Sequence, residues 1–204
     1  VQWIICHTLS RKAVRLPGHS DDQGSVMQRT TERLILRAPT ADDLDSLFAI
    51  YGDPQTHQFN PFGPLTRIEQ AQALLDGWIA HWQSEGYGQW AITIRDHPDQ
   101  VIGFGGIDAR RYQDVLRLNL GYRFGVQAWG RGYATELSQA ALDFAFGELQ
   151  VAEVFAVVRP QHHASIRVLE KAGMQRIDTL DDVPGQAPSL VYRSARDETV
   201  SRVP

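Results

Sequence analysis

The sequence predicts a mixed α/β domain, a mostly antiparallel sheet of about six or seven strands flanked by helices. Three observations predict it. Between Tyr87 and Val126 three strand-like segments follow one another across short polar turns, as in an antiparallel meander. Residues 132–147 then carry a helical apolar face, and the nearly continuous apolar run from Val151 to Val158 reads as a buried strand. A strand, a crossover helix and a second strand make a parallel pair. Finally, 204 residues with 43% apolar side chains enclose one full core and hardly two.

In chain order, Arg33-Leu34-Ile35-Leu36-Arg37 alternates as a strand. Pro39-Thr40 followed by Ala41-Asp42-Asp43 starts a helix with acids in its first turn, running from about 41 to 51. Asp53-Pro54 breaks that helix, and the prolines through Pro64 make 53–65 an irregular loop with aromatics at Phe59 and Phe62. Thr66 with Glu69 fits a capping box. After it Ile68, Ala71, Leu75, Trp78 and Trp82 recur at steps of three and four, an amphipathic helix whose tryptophans belong to the core stripe. The meander follows as Tyr87 to Arg95, Gln100 to Arg110 and Val115 to Val126, with turns at Asp96-His97-Pro98-Asp99 and Tyr112-Gln113-Asp114. Ala134, Leu137, Ala141, Phe144 and Ala145 form the buried face of the next helix. A last helix spans about 163 to 172 and stops at Gly173, and Met174 to Leu180 and Ser189 to Ser194 are the closing strands.

Residues 1–28 mix charge, Gly, Pro and Ser without a sustained apolar period and read as an extension outside the domain of 29–196, with 197–204 as a tail. Met27 as a natural start and an amphipathic docking arm are the two competing readings of that extension. The apolar opening from Val1 to Cys6 is followed by His7, Arg11, Lys12 and Arg15, the reverse of a secretory signal. No apolar run reaches membrane-spanning length, so no membrane partner and a cytoplasmic location are expected. Twenty basic against 24 acidic residues, a formal charge of -4, disfavour a nucleic-acid partner. A lone Cys6 allows no internal disulfide, and no Cys/His spacing suits a metal.

The strongest chemical signal is an apolar strand running into Gln127-Ala128-Trp129-Gly130-Arg131-Gly132 and then a helix. A helix start offers free N–H groups and partial positive charge to an anion, and Gly130 and Gly132 let backbone approach a phosphate. Arg131 adds a mobile cation. Two glycines alone would more often be a plain reversal of direction, so the wider pattern decides.

Gln127-x-x-Gly130-x-Gly132 resembles the coenzyme A pyrophosphate signature of the GNAT acetyltransferase superfamily. The continuation through Tyr133-Ala134-Thr135-Glu136 and the opening Thr31-Glu32-Arg33-Leu34-Ile35-Leu36-Arg37 resemble its RimJ/RimL branch, the ribosomal-protein acetyltransferases. The block from Val158 through Gln161-His162-His163-Ala164-Ser165 to Glu170-Lys171-Ala172-Gly173-Met174 is similar to the family's second motif, and the likeness spans about residues 29–194.

The resemblance implies a sheet splayed between its fourth and fifth strands, with acetyl-CoA held by Phe124, Val126, Gln127, Gly130, Arg131, Gly132, Tyr133, Ala134 and His162. It implies direct attack of an amine on the thioester, from a small molecule or a peptide, with a homodimer left open and no metal. Three positions depart from the pattern: Asn119 replaces a frequent glutamate base, His162 the usual asparagine, and Leu169 the usual tyrosine acid. Ser165 is then the candidate acid and His162 the candidate base, while Asp108, His163 and Glu136 are the other titratable groups nearby. Helix capping is an equal reading of Ser165. A nicotinamide enzyme is disfavoured because Gly130-Arg131-Gly132 lacks a third glycine and follows a meander. The alternative within the fold is a coenzyme A-binding regulatory module with little turnover.

Overall fold

The computed structural model describes residues 28–196. The extension before them, Cys6 included, and the tail from 197 lie outside the described residues. β1 (Gln28–Thr30) and β2 (Leu34–Arg37) open the chain. A 3-10 turn (Ala41–Asp43) leads into α1 (Leu44–Gly52), and α2 (Ile68–Glu85) follows. Next come β3 (Gln89–Ile94), β4 (His97–Tyr112), β5 (Val115–Phe124), α3 (Tyr133–Gly147) and β6 (Glu153–Val158). α4 (His163–Lys171), β7 (Gln175–Leu180) and β8 (Ser189–Ala195) complete the chain.

One eight-stranded sheet of order β1-β2-β3-β4-β5-β6-β8-β7 runs through the molecule. The strand beyond the expected six or seven is β1, whose residues Gln28-Arg29-Thr30 carry no apolar alternation and are held by antiparallel pairing with Ile35 to Arg37 and by Arg29, which pairs with Glu148 and lies 4.7 Å over the Phe144 ring. It starts at the last residue of the expected extension. All neighbours are antiparallel except β5 and β6, which α3 connects as a parallel pair. Those two strands share one register pair, Asn119 with Phe155, so the sheet is splayed there as expected.

Helices cover both faces. Leu137, Ala141, Phe144 and Ala145 of α3 pack with Leu169 of α4 on Trp90, Ile92, Leu120 and Phe124. On the other face Leu47 and Ile50 of α1 and Ala71 and Leu75 of α2 enclose Ala91, Val101 and Phe104. Glycines bring α3 close: a Cβ on Gly105 would lie 2.7 Å from Leu137 Cδ2 and 2.6 Å from Tyr122 Cβ.

Three local expectations are corrected. Residues 53–65 are not wholly irregular, because Asp53 accepts from Gln55 N at 2.9 Å and Pro54 opens a 3-10 turn to His57. The α2 start is closed by Gln70 rather than Glu69: its Oε1 accepts from Thr66 N at 2.8 Å and Arg67 N at 3.0 Å. The β3–β4 turn is only Arg95-Asp96, since Ile94 pairs with His97 and Thr93 with Val101. Residues 98–100 bulge from that ladder, which suits a proline without a donor.

Candidate functional site

α3 is built to present its N-terminus. Gly130 and Gly132 both take left-handed backbone, φ +72° and +79°, and Gly132 is the N-cap with no side chain capping the helix. The first-turn N–H groups of Tyr133 and Ala134 thus have no intrahelical acceptor. A Cβ on Gly130 would meet nothing within 4 Å, and one on Gly132 would meet only Arg33 Nη2 at 3.4 Å. Packing does not demand these glycines; the backbone conformation and the open space above it do.

The loop is latched from a hundred residues away. Glu136 accepts from Thr31 Oγ1 at 2.5 Å, Arg33 N at 2.8 Å and Arg33 Nε at 2.7 Å, and Arg33 Nη1 donates to Arg131 O at 2.8 Å. Burial alone would raise the Glu136 pKa, but the bonds from Thr31 and Arg33 hold it below the ordinary value. Glu136 is therefore an ionised strut and not a proton acceptor. Its link to Thr31 and Arg33 explains physically why those two stretches of sequence occur together.

Backbone at the end of β5 is less open than expected. Phe124 O accepts from Trp129 Nε1 at 3.0 Å, Gly125 N donates to Ile102 O at 2.9 Å, and Gly125 O and Val126 O accept from Ala128 and Trp129. Val126 N–H, at the first position of the 3-10 turn Val126–Ala128, is left without an acceptor from that turn. The Gln127 side chain lies over Gly125, where a Cβ would meet its Oε1 at 2.5 Å. Arg131 is exposed.

Across the splay, His162 is the N-cap of α4, half-buried, with its ring 4.3 Å from that of Phe59. Burial and then the neighbouring His163 push its pKa down, so it is neutral at ordinary pH. The 53–65 loop thus reaches α4 over the splay. Leu169, at the position of the missing tyrosine, is buried in the core. Ser165 is half-buried and interacts with Tyr122 of β5, whose buried hydroxyl has no conventional hydrogen-bond partner among the described residues. Burial holds the Tyr122 phenol up at about 12. Sequence reasoning passed over Tyr122, although it follows Leu120-Gly121 in the strand beside the loop.

Asn119 is buried and accepts from Tyr112 Oη at 2.7 Å. Opposite it in register is Asp108 of β4. Asp108 Oδ2 accepts from Gln89 Nε2 at 3.1 Å, while Oδ1 is buried without a conventional partner among the described residues. Burial raises the Asp108 pKa to about 6, against the opposing pull of Arg110, Gln89 and Asn119. A carboxylate absent at 119 is thus present one strand away, in a state that can exchange a proton near neutrality.

Comparison with known proteins follows this geometry. Residues 33–175 match the acetyltransferase (GNAT) domain family. The chain is 31% identical over 152 residues to the uncharacterized N-acetyltransferase p20 of Bacillus licheniformis, covering 74% of this chain and 84% of that one. A crystal structure of an acetyltransferase from Agrobacterium tumefaciens superposes with a TM-score of 0.69 at 26% identity, over 88% of this chain and all of that one (100%). RimJ of Mycobacterium smegmatis, solved with CoA-disulfide, shares the fold with a TM-score of 0.66 at 21% identity, over 79% and 81% of the two chains.

Proposed function

The chain belongs to the GNAT acetyltransferase family, and from that premise we propose that it transfers the acetyl group of acetyl-CoA directly to an amine in a ternary complex. The carrying observation is the uncapped α3 N-terminus behind two left-handed glycines with free space above Gly130. In this reading the N–H groups of Gly132, Tyr133 and Ala134 and the side chains of Gln127 and Arg131 hold the pyrophosphate. Phe124 and Val126 line the pantetheine path, with Val126 N–H as its free donor, and His162 closes the far wall. Acetyl-CoA supplies the electrophilic thioester carbonyl.

The amine must lose a proton to attack, and Asp108 is assigned to accept it, through a water, in place of the glutamate that position 119 lacks. His162, whose ring lies against Phe59, is the alternative base. As the N–C bond forms and the C–S bond breaks, the departing thiolate needs a proton. Tyr122, protonated at any ordinary pH and adjacent to Ser165, supplies it, with Ser165 as its relay. The acceptor lies on the β5 face below the 53–65 loop.

Purified protein with acetyl-CoA and a panel of primary amines should release free thiol only when an amine is present, with the acetylated amine detected by mass. Tyr122→Phe should lower kcat by roughly 10²-fold, the usual scale for losing one acid, while calorimetry shows acetyl-CoA still bound. Binding of acetyl-CoA without release from any amine would favour the coenzyme A-binding module instead.

A further inference from the structure

Arg123 of β5 is a cation without a counter-ion among the described residues. Its guanidinium lies over the Tyr51 ring at 4.3 Å and is largely buried, and no carboxylate pairs with it among the described residues. Arg37, Arg33 and Arg159, by contrast, each have an acid partner within 4.0 Å. Its hydrogen-bonded neighbour is the imidazole of His57, which Arg123 Nη1 meets closely at Nε2. His57 is buried, and burial followed by Arg123 itself lowers its pKa to about 4, so it brings no charge of either sign. Desolvating an arginine that cannot shed its proton is costly unless an anion completes the site.

The surroundings repeat the imbalance. Asn60 Nδ2 lies 3.0 Å from His57 Nδ1, and its Oδ1 already accepts from Phe62 N at 3.1 Å, which fixes the amide as a donor toward the ring. A neutral imidazole accepts at one nitrogen only. With Arg123 on one nitrogen and Asn60 on the other, the cluster holds one donor more than its acceptors can serve. Beside it the same face of β5 is open: a Cβ on Gly121 would meet only Asn119 Nδ2, at 3.4 Å. Gly121 stands between Arg123 and Asn119 on that face, and Asp108 is the register partner of Asn119.

We propose that the acceptor amine carries a compact oxyanion, a carboxylate or a phosphate, held by the Arg123 fork and the Asn60 amide beside His57. The proposal rests on the acetyltransferase reading above and names the class of amine it uses. Arg123 orients the acceptor from its acidic end, so that the amine lies over Gly121 toward Asp108. A polyamine is the wrong acceptor, because its charges would meet this cation at close range.

Matched amines that differ only in the acid test it: 5-aminovalerate against its amide, phosphoethanolamine against ethanolamine, and spermidine as the polycation. The wild-type enzyme should prefer the acidic member of at least one pair by roughly tenfold or more in kcat/KM, the scale of one charged contact, and which pair responds separates carboxylate from phosphate. Arg123→Gln should bring that ratio toward one, and Arg123→Lys should retain part of it. A merely structural Arg123 would lower turnover of both members alike and leave the ratio unchanged. Equal use of neutral and acidic partners, a preference for spermidine, or an acid preference that survives Arg123→Gln would each overturn the proposal on wild-type or variant data. Calorimetric titration of the acidic probes into the acetyl-CoA-saturated protein and into the free protein gives a second readout. Absence of acid binding in both overturns the acid site, whereas acid binding without acetyl-CoA binding or thiol release would fail only the acetyltransferase reading.

Discussion

At the scale of single residues, the site divides into groups visible in the sequence and groups that only the fold brings together. Gly130, Gly132 and Arg131 announced themselves because they are consecutive and precede a helical pattern. Asp108 could be noticed as a nearby acid, but not as the partner of Asn119, since that pairing depends on the register of β4 on β5. Arg123 and His57 are joined only by the fold, which lays the 54–57 turn on β5, whereas Tyr122 stands beside the loop in the sequence itself. Asp108, its pKa raised by burial, also has a thermodynamic signature. Its pKa is raised from the ordinary 3.8 to about 6, mainly by burial, so the folded chain holds the proton more tightly than the unfolded one. The stability it contributes is full below about pH 3.8 and is lost as pH rises through 6. Asp108→Asn should therefore be more stable than wild type at pH 8, by about 2–3 kcal/mol at most, with the advantage vanishing near pH 4 in thermal melts. His57 acts oppositely: its lowered pKa costs stability as pH falls from 6.5 toward about 4. The wild-type profile is thus flattened between these limits, and the Asn variant should show the His57 slope. Turnover in Asp108→Asn should fall roughly 10²-fold or more, and a variant that gains stability yet keeps full activity would remove Asp108 from the reaction.

At the scale of elements, periodicity was legible wherever an element had one wet face and one dry face. The α2 and α3 stripes are examples, with Leu75, Leu137 and Ala141 fully buried as their spacing required, while Ile68 at the head of the α2 stripe is exposed. It failed at β1, which is polar and three residues long, and at the 54–57 turn, whose proline suggested irregularity. Both are held by hydrogen bonds that composition does not reveal. The Gly130–Gly132 loop joins the two kinds of information, since its glycines are readable but its latch to Arg33 and Thr31 is not. Gly130→Val would place a β-branched side chain at a left-handed φ of +72° and in the space the anion should occupy. We expect acetyl-CoA affinity to fall by at least tenfold, read by calorimetry, with a strain cost of about 1–3 kcal/mol that leaves the domain folded at 25 °C. Unchanged affinity in folded Gly130→Val and Gly132→Val proteins would mean that the anion is held elsewhere.

At the scale of the whole molecule, the meander and the crossover helix fixed most of the topology in advance. The splay was legible only through resemblance, since no pattern within β5 or β6 foretells a ladder of one register pair. Its functional meaning is that strand-edge amides are left in the middle of a sheet rather than at its rim. β4 satisfies one side of β5 from Val115 to Phe124, and β8 satisfies one side of β6 along its whole length. The sides of β5 and β6 that face each other past Asn119 and Phe155 lack a continuous ladder, and such edges demand partners. In the acetyltransferase reading proposed above, the amides of pantetheine would be partners of the right kind, entering beside Val126 N–H and between the starts of α3 and α4. Acetyl-CoA should consequently slow hydrogen exchange in two stretches far apart in sequence, 120–134 and 156–165, while β1 to β3 and the α1–α2 face change little. At a hundredfold excess over Kd the ligand should also stabilise the fold by about 2.7 kcal/mol, raising Tm by about 5–10 °C for a domain of this size. If protection instead spread evenly over the sheet, or appeared only at the helix start, the cofactor would not be lodged in the splay, and Tyr122 and Ser165 would lose their place at the leaving thiolate.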